Sequence, residues 1–346
     1  MIERLYPLSA RLLERLRGLR PPEALARSRR ILHPAEVSAL PGVEMDPEDR
    51  ARVIAAQADT DLPAEWARIA GRPQAQHGAT VLYDLRNVLA TPRGLFTWRG
   101  APCAHGTPPL AETLRGPILK RPAGFFPLPP FGIPYFAHWL LDGLPTVALR
   151  GSDEDLFLPV PPGWEHARGY VDLLGLAPLR APYVHFERLT LALDLGKNAS
   201  LRERMRALRA DLLSRIAGPG GQRVYIRRTR GAPRRLLNEG ELLPRLEERG
   251  FLILSDSDPL DRILRAADRA QMVVGVEGSH LAHFLLPGTD HTRLITLNPA
   301  DRFNNLYADY AGALGGRQAT LVITPEAEGY RLDIARLLRL IDRMAR

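Results

Sequence analysis

From residue 222 onward, short apolar runs alternate with amphipathic stretches at a regular interval. Residues 223–227, 251–254, 272–276, 293–297 and 319–323 have the length and the β-branched content of buried strands. Between them, 238–250, 261–270, a short segment from Ser279, 302–314 and 326–345 carry helical spacing. Asn238 stands where an N-cap is needed, with Glu241 three positions on and Gly250 behind the helix end. Repeated strand–helix units of this length predict a parallel, doubly wound sheet.

Upstream the pattern is less regular. Residues 80–83, 88–90 and 95–98 read as short strands, and the proline-rich passage 117–134 as an irregular loop. Residues 136–142 form an apolar helical segment stopped by Gly143 and Pro145. Further strands are expected at 156–160 and 183–186, with a helix over 164–175. Ser200 and Glu203 form a capping box for a long helix, after which Gly218-Pro219-Gly220-Gly221 breaks the chain. This break sets the expected boundary: an N-terminal α/β domain over 1–218 and a Rossmann-like domain over 219–346. At the start, residues 1–20 predict a helix with Leu5, Leu8, Leu12, Leu16 and Leu19 along one face and Arg4, Arg11, Arg15 and Arg20 among the polar positions. The expectation is that the leucines pack on their own domain. Peripheral contact of residues 1–20 with an anionic membrane is the alternative.

A length of 346 residues suits two domains, and 25% charged residues beside 45% hydrophobic ones place the chain among globular proteins. The net charge of +8, mostly from arginine, suits a polyanionic ligand, an acidic membrane face or nucleic acid. Nucleic acid is the weakest of these, since no recognition module is present and aromatics stand at 7%. The single cysteine, Cys103, rules out an internal disulfide and a multi-cysteine metal site. No apolar run reaches membrane-spanning length and no signal-like segment opens the chain. A cytoplasmic protein is expected, with the inner membrane face as a further location.

The chemistry gathers at strand ends. Arg227, Arg228, Arg230, Arg234 and Arg235 follow the 223–227 strand, and guanidinium groups hold phosphate through paired, charge-assisted hydrogen bonds. The 272–276 strand runs into Glu277-Gly278-Ser279-His280, where a helix N-terminus would favour an anion and Glu277 would suit sugar hydroxyls. Asp256-Ser257-Asp258 reads as a turn and N-cap before Pro259 rather than as a metal-holding acid pair. His138 and Asp142, four apart, share one helical face, so the carboxylate can orient the imidazole.

Together, Tyr225-Ile226-Arg227-Arg228, Arg234-Arg235, Asn238-Glu239, Gly250-Phe251 and the 273–281 turn resemble glycosyltransferase family 61. So does His138-Trp139-Leu140-Leu141-Asp142-Gly143-Leu144-Pro145. The resemblance covers roughly residues 80–325. Glu277 stands where that family has histidine, Ser279-His280 where it has Ala-Gly, and His283 where it has asparagine. The resemblance implies a GT-B-like α/β fold of two Rossmann-like domains facing each other across a cleft. It also implies inversion at the anomeric carbon, a nucleotide-sugar donor held by the C-terminal domain, and bacterial capsule or surface polysaccharide as the setting. The expected site comprises His138, Asp142 and Glu277 as catalytic candidates. Arg227, Arg228, Arg234, Arg235, Asn238, Glu239, Gly278, Ser279 and His280 are the candidates for holding the donor. No metal and no cofactor are expected; a UDP-sugar is the expected donor and a glycan or lipid-linked glycan the acceptor. The second expectation, from the altered glycine turn, is an inactive sugar- or nucleotide-binding protein in a glycan assembly complex.

Overall fold

The computed structural model describes residues 2–229, 234–288 and 290–346. In chain order its strands are β1 (Ser28–His33), β2 (Glu36–Leu40), β3 (Glu44–Met45), β4 (Arg72–His77), β5 (Thr80–Thr91) and β6 (Gly94–Thr97). Then come β7 (Gly100–Ala104), β8 (Leu119–Phe126), β9 (Asp155–Leu156), β10 (Val184–Leu193) and β11 (Arg223–Arg227). The last are β12 (Phe251–Ser255), β13 (Met272–Val276), β14 (Arg293–Pro299), β15 (Arg317–Glu326) and β16 (Gly329–Arg331). They divide between two compact units, one of residues 1–36 and 77–207, the other of 37–76 and 208–346.

The second unit holds the regular part. Its sheet runs β12-β11-β13-β14-β15, every neighbouring pair parallel, with β16 antiparallel on the β15 edge. Strands covered on both faces read as continuous apolar runs, and Met272–Val276 is buried at every position. Helices Glu239–Glu247 and Leu306–Ala313 fall inside the expected spans, Leu260–Ala267 starts one residue before its own, and the expected 326–345 helix is β16 followed by Ile334–Met344. The core joins Tyr225, Val274, Ile295 and Leu321 of the sheet to Leu242 and Leu246 of the first helix and Leu337 and Leu340 of the last.

Residues 37–76 also pack into this unit, so the chain enters it twice, where the sequence predicts one boundary near 219. Strand β3 pairs with β15. Asp49, fully buried, accepts from Val322 N at 3.1 Å and from Arg336 Nη1 at 2.7 Å. Glu65, equally buried, accepts from Asn305 N at 2.7 Å, and Trp66 packs on Phe303 with ring centroids 5.3 Å apart.

The first unit departs from the expected Rossmann-like fold, because its sheet is mixed. Strand β5 lies antiparallel to β1, β6 and β10, while β8 is parallel to β10 and β9. Two of the predicted short strands are one twelve-residue strand, β5. The split arose from Arg86 and Asn87, both exposed, which interrupt the apolar alternation; Asn87 adopts φ 50°, a conformation asparagine tolerates. The predicted irregular loop contains β8, with Pro122 inside it. Pro122 has no ladder partner of its own between the Arg121–Phe186 and Ala123–Arg188 pairs, and β9 flanks only Gly124 and Phe125. A missing N–H is tolerated there for that reason. The long helix Ala199–Arg215 is capped by Asn198, whose Oδ1 accepts from Leu201 N at 2.9 Å, rather than by Ser200. Cys103 is buried, with its thiol on Leu128 O at 3.3 Å and its pKa raised by burial, which makes it an inert packing residue.

The N-terminal helix Tyr6–Arg17 forms as predicted, yet it faces the other way. Tyr6, Pro7 and Ala10 are its buried side chains, with Tyr6 and Ala10 packed among Leu89, Phe96 and Tyr183, while Leu5, Leu8, Leu12, Leu16 and Leu19 are exposed. Arg4 Nη1 reaches three carbonyls, of Thr113, Leu114 and Gly116, and Ser9 Oγ donates to Trp98 O at 2.8 Å.

Candidate functional site

In the second unit's sheet the chain leaves β11 to one side for β12 and returns on the other side for β13. The carboxyl ends of β11 and β13 therefore flank a topological switch point, the place where open α/β sheets bind ligands. Gly275 lets the two strands and the following turn approach closely, since a Cβ there would lie 2.9 Å from both Ile226 Cγ2 and Leu281 Cδ2.

The predicted arginines separate here into two groups. Arg228 and Arg234 turn onto the 277–280 segment. Arg234 Nη1 donates to Glu277 O at 2.8 Å and to the Glu277 carboxylate, and Arg302 Nη1 lies 3.7 Å from the same carboxylate. Arg228 Nη1 lies 3.5 Å from His280 Nδ1, and it fills the space a Cβ at Gly278 would need. Tyr307 donates its hydroxyl to Gly278 O at 2.9 Å. Arg227 belongs to the other group: its Nε and Nη2 donate to Glu239 Oε2 at 3.0 and 2.9 Å, and Tyr225 donates to Glu239 Oε1. Arg227 and Glu239 thus satisfy each other instead of facing a ligand. Asn238 commits both ends of its amide to Leu332, which pins the segment before the last helix. Arg235 is 65% exposed beside Glu328. Arg230 lies outside the described residues.

The turn after β13 also differs from its expected form. Ser279–Leu281 is a 3-10 turn leading into a helix of only four residues, Ala282–Leu285, so no long helix aligns its dipole there. Positive charge comes from side chains. Burial lowers the Arg234 pKa, Glu277 opposes this, and the nearby Arg228 and Arg302 charges lower it further. His280, 7% exposed, is brought down to about 3 by burial and then by Arg228, against a smaller pull from Asp256. Its ring is therefore neutral at physiological pH. Guanidinium can only donate, so Nδ1 accepts and the ring proton sits on Nε2. That Nε2 is buried and has no hydrogen-bond partner among the described residues, and the same holds for Arg228 Nε and Arg234 Nε. Buried donors are ordinarily satisfied, so three orphaned ones together point to an acceptor-rich ligand.

Asp256 accepts from Thr229 N at 2.9 Å and from its hydroxyl at 2.6 Å, and Asp258 accepts from Ser255 N at 2.9 Å. Both carboxylates serve the turn between β12 and the next helix.

The first unit carries the second cluster. Phe136–His138 begins as an α-turn, widens to a π-turn over Trp139–Gly143 and tightens to a 3-10 turn over Leu144–Leu149. Such widened turns recur at functional sites. His138 Nδ1 donates to Asp142 Oδ2 at 2.6 Å, and Lys197 Nζ donates to Asp142 Oδ1 at 2.8 Å. Phe131 and Tyr135 flank the imidazole. Burial would raise the Asp142 pKa, but the Lys197 ammonium and the His138 bond win and hold it at about 2. With Asp142 ionised, the imidazole donates from Nδ1, which in its neutral form puts the lone pair on Nε2. Because the folded value lies below the usual 3.9 or so, the stability this pair contributes is complete above the unfolded pKa and lost as pH falls through about 2. Stability read by urea unfolding should therefore fall less between pH 4 and pH 2 in Asp142→Asn than in the wild type.

Sequence reasoning did not find Lys197, Arg302 or Tyr307. Nothing in the residues around Lys197 marks it. Arg302 and Tyr307 follow the carboxyl end of β14, where the same strand-end rule would have found them.

A family model described as glycosyltransferase 61 matches residues 136–295, a stretch that begins beside His138 and contains Arg228, Arg234 and the 277–280 turn. The match supports the glycosyltransferase 61 family, and the chain is a glycosyltransferase enzyme acting between a sugar donor and a glycan acceptor. No curated protein matches it.

Proposed function

We propose that this enzyme transfers a sugar, with inversion, from a nucleoside-diphosphate donor such as a UDP-sugar to a hydroxyl of a glycan or lipid-linked glycan in bacterial surface-polysaccharide synthesis. The observation that carries the reading is the trio of buried, partnerless donors on Arg228, Arg234 and His280 at the switch point. In this reading His138 Nε2 removes the acceptor proton, Asp142 stabilises the resulting imidazolium, and Lys197 keeps Asp142 ionised. The acceptor oxygen bonds to the anomeric carbon as the bond from that carbon to the β-phosphate oxygen breaks. The departing diphosphate takes the electron pair, and the Arg228 and Arg302 charges with the His280 Nε2 proton stabilise it. Guanidinium groups supply the charge that a divalent cation supplies elsewhere. Glu277 is held by Arg234 and near Arg302, so it positions those cations and is a weaker candidate for the base.

Calorimetry with UDP tests the donor site. Arg228→Ala should weaken binding by about 1.5–3 kcal/mol, the range for hydrogen bonds to charged groups. Unchanged affinity would remove the clamp. The second reading, an inactive nucleotide binder, is favoured by Glu277, whose carboxylate occupies Arg234. Slow hydrolysis of the true donor without acceptor, in a panel of nucleotide sugars, separates the two.

A further inference from the structure

Leu8, Leu12 and Leu16 of the N-terminal helix, and Leu19 just after it, are exposed and stay out of their own unit's core. Exposure rises from 49% at Leu8 through 57% at Leu12 and 70% at Leu16 to 83% at Leu19. At about 100° per residue Leu8, Leu12 and Leu16 fall within one 80° arc, on the side of the helix away from the buried Tyr6 and Ala10, and Leu19 follows just beyond the helix end. The helix is not loosely placed: Tyr6 sits in the core, Arg4 is bound to three carbonyls and Ser9 to Trp98 O. Solvent is thus offered a fixed apolar ridge. Trp98, half exposed, packs against the same helix from its buried side, with its ring 6.4 Å from that of Tyr6. Residues 1–30 hold eight arginines against three glutamates, and Arg11, Arg15 and Arg17 on the helix are exposed. An apolar ridge on a helix that also exposes arginines matches the boundary between acyl chains and anionic headgroups in chemistry and in sign of charge. Among the described residues no helix is long and apolar enough to cross a membrane.

We propose that the helix Tyr6–Arg17 docks this enzyme on an anionic lipid surface, with its leucines in the headgroup–acyl boundary and its arginines on lipid phosphates. The contact is peripheral and independent of the assignment of the transfer reaction. Co-sedimentation with vesicles of phosphatidylglycerol and phosphatidylcholine in equal parts tests it. The wild-type chain should bind these vesicles at least about tenfold better than pure phosphatidylcholine. Binding should weaken between about 0.1 M and about 1 M salt as screening shortens from ~10 to ~3 Å. The variant Leu8→Glu/Leu12→Glu/Leu16→Glu should lose about tenfold or more in binding. Its melting temperature should change little, because the replaced side chains lie outside the buried core. Wild-type protein left in the supernatant, or equal binding by the variant, would overturn the proposal. So would a dimer in sedimentation velocity that depends on these leucines while vesicles are ignored.

Discussion

Replacing His138 with alanine should lower sugar transfer by about a hundredfold to ten-thousandfold, the range for a lost general base, while UDP affinity stays within about twofold. The split follows from where the groups sit in the chain. His138, Asp142 and Lys197 all belong to the first unit, and the partnerless donors of Arg228, Arg234 and His280 to the second. A base acts on the acceptor hydroxyl and contributes nothing to the resting hold on diphosphate. Single-turnover rates and calorimetry on the same preparation read the two quantities separately. Equal, large losses of rate and affinity would make His138 a structural residue whose loss disturbs the fold around the π-turn. Asp142→Asn sharpens the test. The amide can no longer stabilise imidazolium, so transfer should fall at unchanged UDP affinity although His138 is still present.

Arg336→Met should destabilise the second unit by about 3–5 kcal/mol, the cost of leaving one member of a buried ion pair without the other. Arg336 is 5% exposed and bridges Asp49, at 2.7 Å, and Asp46, at 3.4 Å. Burial raises the Asp49 pKa, and the Val322 N–H and Arg336 oppose that rise. Without Arg336 the carboxyl should rise further, and a carboxylate whose folded pKa lies above its unfolded value destabilises increasingly as pH rises through it. The deficit should therefore shrink toward acid pH and grow as pH rises through the raised pKa, and adding Asp49→Asn should restore part of it. Urea denaturation at two pH values reads both effects. A loss below about 1 kcal/mol, the value of an exposed pair, would show that water reaches the site and that residues 37–76 are not fastened to the C-terminal sheet in this way.

Much of the second unit was legible because its information is local. Val224-Tyr225-Ile226 and Met272–Val276 are apolar at every position, glycine or proline punctuates the units, and each of the first four strands is followed by one helix. Short-range pattern therefore predicted the five parallel strands and the clustering of Arg228 with Glu277–His280. What misled was also local. Pro122 argued against a strand because its lack of an N–H is visible in sequence, whereas the absence of a demanding neighbour at that point in β8 is not. Arg227 and Arg228 are adjacent and chemically identical, but opposite sides of a strand separate them, one to Glu239 and the other to His280.

By itself, the sequence determined which segments are strands in the C-terminal sheet, that a histidine and an aspartate share one helical turn, and that arginine gathers where a parallel sheet opens. Those are properties of residues within a turn or two of one another. Tertiary structure alone decided that β11 lies between β12 and β13, that Lys197 reaches Asp142 across 55 positions, that residues 37–76 join the second unit, and that the leucines of the first helix face outward. Each of these depends on which distant surface a side chain meets. Periodicity can mark an apolar face, but only the packing of Tyr6 and Ala10 against Leu89 and Phe96 determines which face is left in contact with solvent.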